Sequence, residues 1–249
     1  SGFQAATDVG WYTLFRFLPG VIFVFTLVSI YTLGSKKGYG LESTILSLAI
    51  PTTVSVLGPS FLVPVALGML VFSVALVLIF FDYKAPGFCV LLGLTVLLPF
   101  VHFPTAVALA VVGLPYSAIR LARNRKNILI PVAIILLPMV IAFPMILSVV
   151  PDLGGSLIQR MHIPHYLPYL PDYLLMWGYP FLILFIIGII LMIMKPQMFG
   201  ISVVATSLFF LIHNYTFASW GTGLQILYHR GPLYLTILAS IIGGYTLWH

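Results

Sequence analysis

Residues 173–194 read YLLMWGYPFLILFIIGIILMIM and contain no Asp, Glu, Lys or Arg. A membrane whose apolar core is about 30 Å thick is crossed by about 20 apolar residues in an α-helix. This stretch therefore predicts a transmembrane helix. Six more stretches lack the same four residue types, namely 17–35, 43–81, 85–119, 127–151, 196–229 and 231–249.

The composition of the whole chain leads to the same class. Of its 249 residues 61% are hydrophobic and 6% are charged, and the mean hydropathy is +1.15. Soluble domains are about 45–50% apolar and about 25% charged, so these charges are too few to cover a soluble surface. A soluble enzyme, a nucleic-acid-binding module and a disordered regulator are excluded. Cys89 is the only cysteine, which excludes an internal disulfide and a cysteine-rich metal site.

We predict an all-α fold, a polytopic transmembrane helical bundle that forms one domain over residues 1–249 and has about nine spans. The runs 43–81 and 85–119 are too long for one crossing, and Gly58-Pro59-Ser60 and His102-Phe103-Pro104 offer turns near their middles. The predicted spans are 11–33, 43–57, 61–81, 87–101, 105–121, 127–150, 173–194, 198–219 and 231–248. Several are short or contain a proline, which predicts kinked or partly re-entrant helices.

The basic residues orient this bundle. Alternating the loops places eight of them on one side: Lys36, Lys37, Lys84, Arg120, Arg123, Arg125, Lys126 and Lys195. The other side receives Arg16, Arg160 and Arg230. Cytoplasmic loops carry the excess of Lys and Arg, so we expect an extracytoplasmic N-terminus, with residues 1–10 at the interface, and a cytoplasmic C-terminus. The cluster 120–126 is interpreted as a topology anchor or as a site for anionic lipid.

The same topology collects polar side chains on the outer side. His102, His162, His165 and His229 fall in outer turns, and the longest outer loop is 151–172, which also holds Arg160. Loops of this length usually have a function, so we expect a site beneath this loop. His162 and His165 have a spacing that suits zinc on a helix, but Pro164 between them disfavours a regular helix. Interfacial histidines in a lid are the alternative.

Two arginines near predicted helix starts are candidate anion-binding residues. Arg16 either extends outward to the interface or faces a cavity where it meets an anion. Arg230 follows His229 at the outer start of the last span, where its charge adds to the positive end of the helix dipole. The pair suits a phosphate or a pyrophosphate at the membrane surface, with an interfacial anchor as the alternative.

Three segments share a pattern with a known superfamily. Residues 1–19 read SGFQAATDVGWYTLFRFLP, and the first span ends in a tyrosine followed by basic residues at 31–37. Residues 102–106 read HFPTA, and Arg230 precedes an apolar helix that ends in a small-residue turn at 242–245. These segments resemble the polytopic membrane glycosyltransferases of the GT-C superfamily. Phe103 and Pro104 depart from the order His-Pro-x-Thr-Ala of some prokaryotic members.

The resemblance implies transfer of a sugar from a polyprenyl-phosphate or polyprenyl-diphosphate donor at the extracytoplasmic face. Arg230 and His229 would bind the phosphate of this lipid-linked sugar. Arg160, His162 and His165 would lie in the outer lid, and His102 would line the cavity floor. These enzymes usually carry their catalytic Asp in the first outer loop, so we expect it outside this chain, which would be an incomplete and inactive fragment. A processed mature chain is the alternative, and participation of a divalent cation stays open.

Two other functions fit a chain with these features. Proline-containing helices with sparse charges are typical of transporters and lipid flippases, although no acidic residue falls in the middle of a predicted span. A structural subunit of a membrane complex, completed by other membrane subunits, needs no site at all. The lipid bilayer is the partner expected under every one of these functions.

Overall fold

A computed structural model describes residues 10–50, 64–80, 85–123, 140, 144, 170–220 and 223–249. Within these ranges the regular structure is entirely helical. The seven helices are α1 Trp11–Ser35, α2 Gly40–Ser47, α3 Pro64–Phe80, α4 Ala85–Arg123, α5 Leu170–Met194, α6 Met198–Trp220 and α7 Gln225–Trp248.

The helices are those of an integral, multi-pass membrane protein. Five of the described helices, α1, α4, α5, α6 and α7, are long and apolar enough to cross a membrane, and α3 is a shorter apolar helix. The described residues therefore support a helical membrane protein, but they do not support nine spans. The predicted span 127–150 lies almost wholly outside these residues, as does the predicted outer loop 151–172.

The predicted span 43–57 is wrong in its described part. Helix α2 has 8 residues and ends at Ser47, so it is about 12 Å long, less than half of an apolar membrane core. Ile50 precedes Pro51, and a proline disfavours the helical conformation of the residue before it.

Helix α7 is the centre of the bundle. It packs against each of the other six described helices, and 83% of its most apolar stretch is buried, compared with 28% for α5. Small residues let the backbones approach closely: a Cβ atom at Gly188 of α5 would meet the carbonyl of Ile242, and one at Gly244 would meet Ser43 of α2. The Thr246 hydroxyl adds a hydrogen bond of 2.7 Å to the Leu184 carbonyl.

Helix α4 turns back on itself at His102. Gly68 of α3 packs against Thr105, and at the other end of α3 the ring of Phe80 lies 5.0 Å from that of Tyr116, so α3 and the second half of α4 run in parallel. A straight α4 would place Ala85 about 25 Å beyond His102, away from Phe80. Five residues from Phe80 to Ala85 reach at most about 18 Å, so α4 reverses direction.

The reversal coincides with a break in the helical backbone. His102 has φ −158° and ψ 93° inside α4, values of extended backbone. Pro104 contributes, because it has no N–H for the helical ladder. The turn predicted at His102-Phe103-Pro104 is therefore confirmed as a break, and it separates two helical halves of α4.

The bundle has two chemically different ends. We call the end that contains His102, His213 and Arg230 the histidine end, and the end that contains Lys37 and Lys195 the lysine end. Helices α1, α3, α5 and α7 all run from the histidine end to the lysine end, and α6 runs the opposite way. Among the described side chains, the lysines lie at one end and Arg16 and Arg230 at the other, in agreement with the predicted separation of the basic residues.

Candidate functional site at the histidine end

Three side chains from two helices form a polar network inside the histidine end. His102 Nδ1 lies 2.7 Å from Thr105 Oγ1, and Thr105 Oγ1 lies 2.6 Å from the hydroxyl oxygen of Tyr234. The same Tyr234 oxygen is 3.5 Å from His102 Nδ1. Thr105 and Tyr234 are fully buried, and a buried polar group is costly unless it is hydrogen-bonded. The network therefore satisfies all three groups at once.

Local structure explains why these residues meet. His102 stands at the break in α4 and Thr105 three residues later, so the hydrogen bond between them closes over the first turn of the second half of α4. Gly68 gives them room: a Cβ atom there would lie 2.5 Å from Thr105 Oγ1 and 3.3 Å from His102 Cβ. The rings of Phe72 and Phe210 pack against Tyr234 at centroid distances of 5.0 and 6.1 Å. These two rings therefore orient the Tyr234 hydroxyl toward α4.

Arg230 lies next to this network. It is four residues before Tyr234 on α7, so the two side chains project from the same helix face one turn apart. The half-buried Arg230 guanidinium is close enough to act electrostatically on both His102 and Tyr234. The structure thus brings together two residues that the sequence predicted for the site, Arg230 and His102, from segments more than a hundred residues apart.

The proton arrangement of the network follows from its donors. When the proton of His102 is on Nε2, Tyr234 donates to Thr105, and the Thr105 hydroxyl donates to His102 Nδ1. Each hydroxyl then donates once, and Nε2–H is the donor that remains on the ring. An imidazole N–H beside a guanidinium is a pair of donors suited to an anionic oxygen.

A second histidine orders the turn that leads to Arg230. His213 Nε2 accepts a hydrogen bond of 2.9 Å from the Leu224 N–H, and its ring stacks with Phe209 and Phe217 at 6.0 and 6.3 Å. Gly223 has φ +136°, and a Cβ atom there would lie 2.9 Å from His213 Nε2. His213 therefore fixes the start of α7 and, through it, the position of Arg230.

The other residues predicted for the site are not all described. Arg16 is exposed on α1, with its guanidinium carbon 5.6 Å from the centroid of the Phe17 ring, and no described contact joins it to the His102 network. His229 belongs to α7, but its side chain lies outside the described part. Arg160, His162 and His165 lie outside the described residues, so their roles in a lid stay predictions.

Sequence reasoning missed Thr105, Tyr234, His213 and Asn214 as parts of this end. All four lie within predicted spans, where a single polar residue gives no signal. Gly231 allows α6 to approach α7 at this end, because a Cβ atom there would lie 2.9 Å from Asn214 Oδ1.

The histidine end offers a guanidinium, an imidazole ring and a pair of buried hydroxyls, and it is suited to hold an anionic group. Among the described side chains, no group of three or more His, Cys, Asp or Glu forms a metal site. No protein family model, curated protein or solved structure matches this chain.

Proposed function

We propose that the histidine end binds the phosphate group of a lipid-linked substrate, with Arg230 as the principal anion-binding residue and His102 beside it. The observation that carries the proposal is the position of Arg230 on α7, one helical turn before Tyr234, whose hydroxyl joins the buried network with Thr105 and His102. A guanidinium binds phosphate oxygens in pairs, and the positive end of the α7 dipole supports it.

The reaction that fits such a site is transfer of a sugar from a polyprenyl-phosphate donor, as the resemblance to the GT-C superfamily implies. The role of the described residues is to hold the donor phosphate. General-base chemistry needs a carboxylate near the acceptor hydroxyl, and the described side chains place none against the network. The expected catalytic Asp would have to be supplied from outside these residues.

The depth of the network favours a transferase over a transporter. Tyr234 lies four residues, about 6 Å, into the helix from Arg230, which is well short of the middle of the Arg230–Trp248 span. Substrate sites of transporters lie near the bilayer midplane. A phosphate held at this level remains at the membrane surface, as a transferase acting on a surface acceptor requires.

We propose nine crossings for this topology, with the N-terminus extracytoplasmic and the C-terminus cytoplasmic. Helices α1, α3, α5 and α7 run in the same direction, which calls for a return crossing between each pair. The two halves of α4 and helix α6 supply part of these return crossings. The lysines at one end support a cytoplasmic location for that end.

Binding of a fluorescent polyprenyl-phosphate sugar to the purified protein in lipid nanodiscs tests the proposed function. We expect Arg230→Ala to weaken donor binding at least tenfold, because a hydrogen bond to a charged group contributes about 1.5–3 kcal/mol. Arg16→Ala is the matched control, since it removes the same charge at the same end without touching the network, and it should bind within about twofold of the unchanged protein. Equal donor binding by Arg230→Ala and Arg16→Ala would refute the proposal.

The transporter alternative is favoured by one observation, the broken backbones of α4 at His102 and of α5 at Gly178, where φ is +72°. It predicts movement of a substrate across a sealed membrane. Reconstituted vesicles with lipid-linked sugar on one leaflet separate the two functions. Donor binding without movement between leaflets supports the transferase, and movement that requires Arg230 supports the transporter.

A further inference from the structure

A cavity with two lysines in its lining lies at the lysine end, at the opposite side of the bundle from the His102 network. Its volume is about 300 Å³, enough for about ten water-sized groups. Its lining includes Lys37, Tyr39, Lys195, Gln197, Phe199 and Tyr245. The lining contains two lysines and neither Asp nor Glu, so the cavity carries net positive charge.

The first lysine is held in place by a defined turn. After α1, Gly38 takes the left-handed conformation with φ +95°, the Gly38 N–H donates to the Ser35 carbonyl at 3.0 Å and the Tyr39 N–H donates to the Gly34 carbonyl at 3.2 Å. This is the Schellman arrangement of a helix C-terminus. It fixes Lys37 at the cavity, where its Nζ donates a hydrogen bond of 3.2 Å to Gln197 Oε1.

The partner of Lys37 in the cavity is a neutral amide, so its charge is available to a ligand. Lys37 Nζ also lies 5.9 Å from the centroid of the Phe199 ring, which keeps the ammonium over the cavity wall. Two tyrosines form the back of the cavity, with the rings of Tyr39 and Tyr245 5.4 Å apart. Burial raises the pKa of the Tyr39 phenol, so this side chain stays uncharged.

The second lysine connects the cavity to lipid. Lys195 follows α5 directly, and the last turns of α5 expose Ile190, Ile193 and Met194. Since α5 is the least buried of the candidate spans, these side chains form an apolar track along the membrane face that ends at Lys195. A ligand with a phosphate in the cavity and acyl chains on this track would contact both.

We propose that this cavity binds the phosphate group of an anionic membrane lipid, held between Lys37 and Lys195 with its acyl chains along α5. Basic pockets between membrane helices bind such head groups. Gln197 orients Lys37 toward the phosphate and adds an amide N–H donor. The proposal is independent of the proposed function, because Arg230 and Tyr245 are 15 residues, about 22 Å, apart along α7.

Thermal unfolding of the purified protein in a neutral detergent tests the proposal, with phosphatidylglycerol or phosphatidylcholine added. We expect phosphatidylglycerol to raise the Tm and phosphatidylcholine to raise it less. Each of Lys37→Gln and Lys195→Gln should weaken the lipid's affinity about fivefold, and the double variant about 25-fold. Lys36→Gln is the matched control, because Lys36 is next to Lys37 in the sequence but does not line the cavity. Its Tm should shift with phosphatidylglycerol as much as that of the unchanged protein.

A further variant tests the geometry without removing a lysine. Gln197→Glu places a carboxylate beside Lys37 at nearly unchanged shape, and we expect it to abolish the shift in Tm caused by phosphatidylglycerol. An undiminished shift in the double lysine variant, or an equal loss in Lys36→Gln, would overturn the proposal. If inorganic phosphate produces the full shift and phosphatidylglycerol acts no better than phosphatidylcholine, the lipid as the source of the phosphate is refuted.

Discussion

Replacing Gly68 by Ala probes the packing that holds the His102 network together. The new methyl group would lie 2.5 Å from Thr105 Oγ1, far inside van der Waals contact. Thr105 has no room to yield, because it is fully buried and its hydroxyl is held by contacts of 2.7 Å to His102 and 2.6 Å to Tyr234. The clash must therefore separate α3 from α4 or break one of these hydrogen bonds.

The change in the free energy of unfolding follows from two costs and one gain. Overpacking a closely packed interior costs about 1–3 kcal/mol, and a lost hydrogen bond between membrane helices costs about 0.6 kcal/mol on average. Ala in place of Gly within a helix returns about 0.8–1.0 kcal/mol. We expect Gly68→Ala to lower the free energy of unfolding by about 1–2 kcal/mol.

Gly93→Ala is the matched control, because a Cβ atom at Gly93 of α4 meets nothing within 4 Å. It keeps the gain in helix propensity and lacks the clash, so it should be as stable as the unchanged protein or more stable. The difference between the two variants should be about 2–3 kcal/mol. Denaturant unfolding in detergent micelles, followed by tryptophan fluorescence, measures both.

A double variant separates the clash from other effects of the substitution. Thr105→Ala removes the atom that the new methyl group meets, so Gly68→Ala should cost less in that background than in the unchanged protein. The reasoning is refuted if Gly68→Ala is as stable as Gly93→Ala, or if its cost is the same with and without Thr105.

Two further predictions concern the lysine end. The buried Ser43 hydroxyl on α2 has no hydrogen-bond partner among the described residues, so Ser43→Ala should raise the free energy of unfolding by up to about 1 kcal/mol. Ser47→Ala is the control, because it removes a hydrogen bond of 2.7 Å to the Thr44 carbonyl and should not raise the free energy of unfolding. Chemical unfolding of both variants checks this prediction. Burial raises the pKa of the Tyr39 phenol, so above pH 10 the unfolded chain loses this proton first and stability declines with pH, by about 1.4 kcal/mol per unit for one such group. Tyr39→Phe should make that alkaline decline shallower, and an unchanged slope between pH 10 and 12 would contradict the assignment.

The sequence predicted those parts of the fold that depend on local chemistry. The break in α4 was predictable because His102 and Pro104 interrupt an apolar run, and the separation of the basic residues was predictable because Lys and Arg remain at helix ends in a membrane. The span 43–57 failed because α2 ends at Ser47, shortly before Pro51. The packing of Ser43 against Gly244 of α7 was not predictable, because the two residues are far apart in the sequence.

The candidate site was predictable only through its charged members. Arg230 and His102 are conspicuous in apolar surroundings, whereas Thr105 and Tyr234 resemble ordinary residues of a span. Their hydrogen bond links positions 129 residues apart, and no periodicity in the sequence contains that information. The charged residues were therefore enough to predict the two ends of the bundle, whereas the hydrogen bonds inside it depend on packing between distant segments.

The central position of α7 has a consequence for biogenesis. Membrane helices are made in chain order, and α7 follows all six helices that it contacts. Until it arrives, the Thr105 hydroxyl lacks Tyr234, and Ser43 of α2 and Gly188 of α5 lack the α7 backbone that they pack against. Before α7 is inserted, the earlier helices therefore lack their contacts to the central helix, and insertion factors and quality-control proteases can reach these surfaces. Truncation before residue 225 would leave the protein permanently in that state.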